Sequence, residues 1–406
     1  MRRKSPTQLF TIVVLLITFL LPFLSANPTN ASINTGIIPY DIDYAVQNDY
    51  PALLEGIRDD PEAFGFSSEE LGEISLLSPL RVVTDRYTYE DLLNGEDINI
   101  LHIPLVNQDG TIIAIFSVIK LDGKISCNLG KDFAPSLEQA KISGNSEMAM
   151  YQSGYEIYPV NVEKIARKFS ETEGCNGSLQ AINTSDMKEQ LTNAPFISIS
   201  LTEVNDSLTW QARKTELHSA PVSTQSINSL SYLPPRAYLN SYPIVGQIIN
   251  GQQRAVCWAA TIASMARFES SKHSGLTAKM VADRMGIGYD KGATVYQARA
   301  ALSTILGNPY VPTVTGVLTE DQIKTVIYNI DPAYMSCVRK TGFWPWEKLG
   351  HAVALTGYNF STATTIRVMD PAYEVFKLAS KNSSGQWVFA FGDTSFAWSN
   401  TVRLLY

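Results

Sequence analysis

Between Ile98 and Leu129, apolar β-forming residues run in short stretches broken by two turn signals, Asn107–Gly110 and the Leu-Asp-Gly-Lys run around Gly123. That pattern predicts a meander of antiparallel strands. Upstream, residues 27 to about 95 are mixed and acidic and carry short helical patterns such as SSEELGEISLL. Residues 185 to 210 are less regular, with one short strand expected at FISISL. From His218 to Asn240 the chain is rich in Ser, Pro and Asn and has no periodic apolar pattern, which reads as a linker.

Beyond the linker the pattern changes twice. Cys257 to Phe268 is apolar nearly all round, as suits a helix buried in a domain centre. Further helices are predicted over Thr277–Met285, Thr294–Leu306 (stopped by Gly307) and Thr319–Asn329. In the last of these, Thr319 and Gln322 have capping-box spacing, and Ile323, Val326 and Ile327 form one apolar face. Then AYMSCV, HAVALTGY, TIRVM and QWVFAF read as short strands. Helices followed by strands imply an α+β domain over residues 241–406, long enough to bury its own core. The β-rich residues 27–217 form a separate N-terminal region, and 218–240 join the two.

The first residues add a targeting segment. Arg2, Arg3 and Lys4 precede an apolar run from Leu9 to Leu24, and the small residues Ser25 and Ala26 follow. Residues 1–26 therefore read as a secretory signal peptide, the alternative being an uncleaved membrane anchor. Cleavage would leave a secreted chain with no stable membrane association. The 406 residues carry a formal net charge of -7 and show no basic stripe, which argues against nucleic acid as a partner. The four histidines, His102, His218, His273 and His351, are scattered without zinc spacing, so neither a metal nor a cofactor is expected. Four cysteines in a chain of this length do not make a disulfide scaffold. Pairing of Cys127 with Cys175 stays open, and Cys337 is a thiol within a strand with no assigned task. Asn176, Asn183 and Asn205 lie in glycosylation patterns that matter only in a glycosylating host.

Chemistry concentrates in the C-terminal segment. In QQRAVCWAAT, Cys257 falls at the first turn of a helix, where unpaired backbone N–H groups and the helix dipole favour a thiolate. His351 opens the strand in GHAVALTGY and can face a cleft while Val353 and Leu355 anchor the strand; it is the candidate base. His273, in an exposed-looking SSKHSG loop, is a weaker candidate. Asp370 ends TIRVM before Pro371 and can reach the far nitrogen of His351, although Asp before Pro is also a common turn. Gln252 or Gln253 would donate to an oxyanion beside the Cys257 N–H. Nucleophile, base, orienting group and oxyanion donor are the four parts that cysteine hydrolysis requires.

In this order and with these motifs the chain resembles the papain-like cysteine peptidases, more closely the bacterial branch of bacteriocin-leader-processing peptidases and secreted staphopain-like enzymes. The resemblance runs from about Tyr242 to Tyr406. It implies a helical subdomain, with Cys257 on its central helix, packed on a twisted antiparallel sheet carrying His351. It implies an endopeptidase acting on protein or peptide substrates through a thioester with a Cys257–His351–Asp370 triad. In the family the oxyanion glutamine usually stands six residues before the cysteine, where this chain has Gly251, so Gln252 and Gln253 both remain open. Such enzymes are often made as zymogens. Residues 27 to about 235 would then be a pro-region over the cleft, processed near Leu233–Asn240, or else an accessory domain that stays attached. Phe343, Trp344 and Trp346 could line the cleft or pack in the core. A cysteine-dependent amidase or acyl transferase, and an inert papain-like binding module, are the competing readings.

Overall fold

Four adjacent strands of the N-terminal half and eight of the C-terminal half pair into one antiparallel sheet. The computed structural model describes residues 36–95, 98–144, 147–174, 184–194, 196–200, 233–307, 311–340, 350–361 and 363–404. The expectations for the signal segment, for Cys175, for the three glycosylation patterns and for Phe343, Trp344 and Trp346 lie outside the described residues. Among the described residues no helix is long and apolar enough to cross a membrane.

The N-terminal half holds α1 (Pro39–Arg58), β1 (Ile74–Leu76), β2 (Val82–Thr84), α2 (Tyr89–Asn94), β3 (Ile100–Asn107), β4 (Ile112–Leu121), β5 (Lys124–Gly130), α3 (Ala134–Ile142), β6 (Glu147–Ser153), β7 (Glu156–Asn161), α4 (Val162–Gly174), α5 (Thr184–Asn193) and β8 (Ile199–Ser200). The expected meander is β3–β4–β5. Two helices depart from expectation. α1 runs through Pro51, a residue that argues against helix in sequence. α5 occupies a stretch that reads as irregular. The helical pattern at Ser67–Leu77 does not become a helix. Ser67 and Glu70 exchange capping hydrogen bonds of 2.7 and 3.2 Å, but Ile74–Leu76 then pair with β3. Pairing with a buried strand outweighs a short run of helical propensity.

The C-terminal half follows with β9 (Arg236–Tyr238), β10 (Ile248–Ile249), β11 (Gln252–Gln253), α6 (Cys257–Glu269), α7 (Ala278–Met285), α8 (Val295–Leu306), β12 (Thr313–Thr315), α9 (Glu320–Tyr328), β13 (Ala333–Arg339), β14 (Gly350–Asn359), β15 (Thr365–Asp370), β16 (Val375–Ser380), β17 (Val388–Phe391) and β18 (Thr394–Arg403). The four predicted helices are present within a residue or so. Thr277, Thr294 and Thr319 each cap a helix through the side-chain oxygen, the last two in capping boxes. α6 packs on α7, α8 and β14, and its side chains from Cys257 to Ala266 are buried.

The main sheet runs β1-β3-β4-β5-β16-β15-β14-β13-β18-β12, with β17 on β18 and β9 on β14. A second sheet of β2, β6, β7 and β8 lies in the N-terminal half. The seam between the halves is β5 on β16, where Gly130, Leu129 and Asn128 face Lys377, Leu378 and Ala379. Side chains reinforce it. Asn128 bridges to Val388 O and to the Ala390 N–H, both at 2.9 Å, and the fully buried Arg367 donates to Ala63 O at 2.7 Å. Leu378 packs among N-terminal residues, and Val388, Ala390 and Ala397 pack against Ile100, Ile119 and Leu121. The linker reading fails at its C-terminal end. Arg236–Tyr238 form β9, Leu239 is buried, and Pro234 O accepts from the Tyr358 hydroxyl at 2.7 Å. The sequence there is irregular because its order comes from β14, not from its own periodicity.

Candidate active site

Cys257 is the first residue of α6, and its cap residue Val256 makes no side-chain cap bond. The opening N–H groups of the helix therefore have no intrahelical acceptor. The helix is held by Thr261, whose hydroxyl donates to Ala352 O on β14 at 3.1 Å, and by Ser264, which accepts from the Val245 N–H at 3.0 Å. Trp258, 1% exposed, donates its indole N–H to Lys291 O at 3.2 Å. Cys257 itself is 9% exposed and lines a cavity together with His351.

His351 follows Gly350 at the start of β14, and Asp370 closes β15 one residue past Met369, its last residue paired with β14. The His351 Nε2 lies 2.8 Å from Asp370 Oδ1, which leaves Nδ1 toward the Cys257 thiol. The rings of Phe391 and Phe396 cover the imidazole at centroid distances of 5.8 and 5.5 Å. Burial disfavours the imidazolium, but the Asp370 charge and hydrogen bond, with a smaller contribution from Cys257, outweigh it and push His351 up to about 10. Asp370 is buried too, and burial alone would raise its carboxyl. Lys377, then His351 and the Ala372 N–H at 3.0 Å, hold it well below the usual carboxylate range. The structure thus brings Cys257, His351 and Asp370 together, while His273 stands in a short 3-10 turn away from them.

The two glutamines expected to serve the oxyanion are placed elsewhere. Gln252 is exposed and its Oε1 accepts from Arg254 Nη2 at 2.5 Å. Gln253 donates Nε2 to Ala372 O at 2.8 Å and so braces the turn after Asp370. Of the three glutamines just ahead of the cysteine, the one that lines the same cavity as Cys257 and His351 is Gln247, 2% exposed, whose side-chain oxygen finds no partner among the described residues. Its backbone bonds to Pro371 O and to the Arg254 N–H, each at 3.0 Å. The β10–β11 hairpin, turned by Asn250 and Gly251 at φ 53° and 78°, separates Gln247 from Cys257. Asn-Gly is the strongest short hairpin signal, so the turn was readable in the sequence, but not which glutamine it would bring to the cavity.

The cavity above Cys257 and His351 measures about 360 Å³. The C-terminal half supplies Gln247, Arg339 and Phe396 to its wall, and the N-terminal half supplies Thr84–Arg86 and Gln152, Gly154 and Tyr155. Arg86 pairs with Asp393 in the β17–β18 turn, and Gln152 Oε1 accepts from the Asp393 N–H at 3.3 Å. His102 takes no part. It is buried between Ser117 and Gly392 O at 2.8 and 2.9 Å. Cys337 is the strand partner of His351 and fully buried; burial, with the Asp370 charge, pushes its thiol well above the ordinary value, so it stays protonated. Cys127 is a free, buried thiol. No group of three potential metal ligands occurs among the described residues.

No family model matches this sequence, and no curated protein does. Among solved structures, a chain from Bacillus anthracis provisionally assigned as a C39-like peptidase aligns with 42% of this chain and 98% of its own, at 11% identity and a TM-score of 0.30.

Proposed function

We propose that this chain is a cysteine peptidase with a papain-like catalytic half, and that Cys257, His351 and Asp370 form its triad. The observation that carries the reading is the convergence, at one cavity, of a cysteine at an uncapped helix start and a histidine bonded at 2.8 Å to a buried carboxylate. In this reading the Cys257 thiolate attacks the peptide carbonyl carbon and the carbonyl π pair moves to oxygen. The Cys257 N–H and the Gln247 side-chain amide stabilise that oxygen. Imidazolium His351 gives its proton to the departing amine, leaving a thioester. His351 then removes a proton from water as the water oxygen bonds to the thioester carbon; the C–S bond breaks with its electron pair going to sulfur, which frees the acid and restores the Cys257 thiolate beside imidazolium His351. Asp370 fixes the ring and stabilises its charged form.

The N-terminal half walls the cleft, which supports a latent form in the intact chain. The N-terminal basic and apolar run supports export, with cleavage after about residue 26. Because Leu239 and Pro234 are docked on the C-terminal half, self-processing belongs in the Ser- and Asn-rich stretch ahead of Leu233. The test is the intact mass of the signal-less chain held in reductant, beside Cys257→Ala. A wild-type chain cut ahead of Leu233, with the variant whole, supports the reading. Two whole chains, together with a Cys257 that alkylates no faster than an ordinary thiol, would end it.

A further inference from the structure

Behind the triad lies a charge pair that the chemistry above does not use. Lys377, on β16, is fully buried. Its Nζ stands 3.0 Å from Asp370 Oδ2, the carboxylate oxygen that does not face His351, and 2.8 Å from Asp132 Oδ1. Asp132 belongs to the N-terminal half, just past β5, and its backbone holds φ at 27°, a conformation that disfavours a residue with a side chain. The result is one buried row, Cys257–His351–Asp370–Lys377–Asp132, that crosses the seam between the halves.

A lysine against a triad carboxylate is costly unless balanced. Its charge opposes the imidazolium that Asp370 is there to stabilise, and in a dry interior that opposition is weakly screened. A second carboxylate on its far side cancels most of it. We propose that Lys377 and Asp132 are positioning residues for the triad: Lys377 fixes the second oxygen of Asp370, and Asp132 neutralises Lys377 so that Asp370 keeps its hold on His351. The proposal rests on the catalytic reading of Cys257 and His351. It also gives the N-terminal half a second task. That half covers the cleft and completes the charge balance behind it, so any activating cut leaves it bound and shifts only the cleft-facing residues.

The groups that face His351 bound the electrostatics. α6 presents Cys257; β13 presents Cys337 and Arg339; β15 presents Asp370. β17 and β18 present only the Phe391 and Phe396 rings. Across the cavity the N-terminal half presents Asp85 and Arg86. Tyr373 lies against Lys377, 4.6 Å from ring centroid to Nζ, and stays protonated in its buried place. Lys377 and Asp132 are thus the charged groups on the far side of Asp370.

The experiment is the pH profile of Cys257 alkylation by iodoacetamide in the full-length, signal-less chain, read by peptide mass, which needs no substrate. Wild type should react at pH about 5 to 7 far faster than a thiol of ordinary acidity, through its thiolate–imidazolium pair. Asp132→Asn should draw the alkaline end of that plateau down by about one unit of apparent pKa, a tenfold weaker hold on the imidazolium proton. Asp132→Asn with Lys377→Met should restore the plateau, because both charges are then gone. If Asp132→Asn does not fold, Lys377→Met alone decides. It removes the opposing cation, so the plateau should extend to higher pH. A wild-type plateau that Asp132→Asn leaves unmoved, a drop equal at every pH, or a double variant no better than the single overturns the proposal. A wild type with no plateau at all sinks the catalytic reading, and this inference with it.

Discussion

At the residue scale the site divides into groups that sequence exposes and groups that only contact exposes. Cys257 stands out because it opens an apolar helix, His351 because it opens a strand, and Asp370 because it ends one before a proline. Gln247 is hidden by the two glutamines nearer the cysteine. Replacing Gln247 with Ala should lower peptide hydrolysis about 10²- to 10³-fold, the usual cost of one oxyanion donor, with little change in thermal stability. Gln252→Ala should leave the rate within about twofold, since among the described residues the Gln252 side chain bonds to exposed Arg254 alone. A steady-state assay on a peptide substrate for both variants checks the reassignment, and equal losses would return the role to the hairpin. His351 also links stability to pH. Its folded value lies above the free value, so its contribution is complete below pH 6.5 and is lost as pH rises toward about 10. Asp370 acts oppositely, contributing above the ordinary carboxylate range and losing that contribution as the carboxylate protonates in acid. Thermal midpoints of wild type should therefore fall between pH 6.5 and about 10 more steeply than those of His351→Gln. Parallel curves would show that His351 is not held as an imidazolium.

At the scale of elements, local signals did well where an element stabilises itself. The capping residues Thr277, Thr294 and Thr319, with the apolar face of α9, place three helix starts almost to the residue. They failed where a neighbour imposes the conformation. Ser67–Leu77 has a helical capping pair yet yields to β3, and Arg236–Tyr238 has no strand pattern yet adds to β14. The β9 addition depends on a close approach. A Cβ on Gly357 would stand 2.3 Å from Tyr238 Cδ1 and 2.9 Å from Ala237 O. Gly357→Ala should therefore cost about 1–3 kcal/mol in urea unfolding, as overpacking does. It should also make the chain near Leu239 more open to added protease. A neutral result would mean that β9 is only loosely applied to β14.

At the scale of the whole molecule, the expected boundary between an N-terminal region and a catalytic domain is crossed by one sheet. β5 stands between β4 and β16, with its last five residues buried, and Arg367 and Asn128 tie the halves through a part-buried and a buried hydrogen bond. Residues 233–406 expressed alone would expose the long apolar edge of β16, with Leu378 and the unbalanced Lys377 on it. Such an edge recruits other strands. The fragment should be aggregated or unfolded by gel filtration and circular dichroism, and co-expression with residues 36–200 should rescue it. A soluble, monomeric fragment with native-like thermal unfolding would restore the picture of two independent domains.

The sequence by itself determined what is set within a few turns of chain: the helix starts, the β3–β5 meander, and the three residues whose types and places suit thiol chemistry. These follow from capping, periodicity and turn geometry, which act over short separations. Only the tertiary structure decided which strand β16 takes as its second neighbour, which glutamine enters the cavity, and that Asp132 balances Lys377 behind Asp370. Strand partnering depends on burial shared between distant segments. A buried charge, likewise, shows its purpose only when the opposite charge that makes it tolerable is in place.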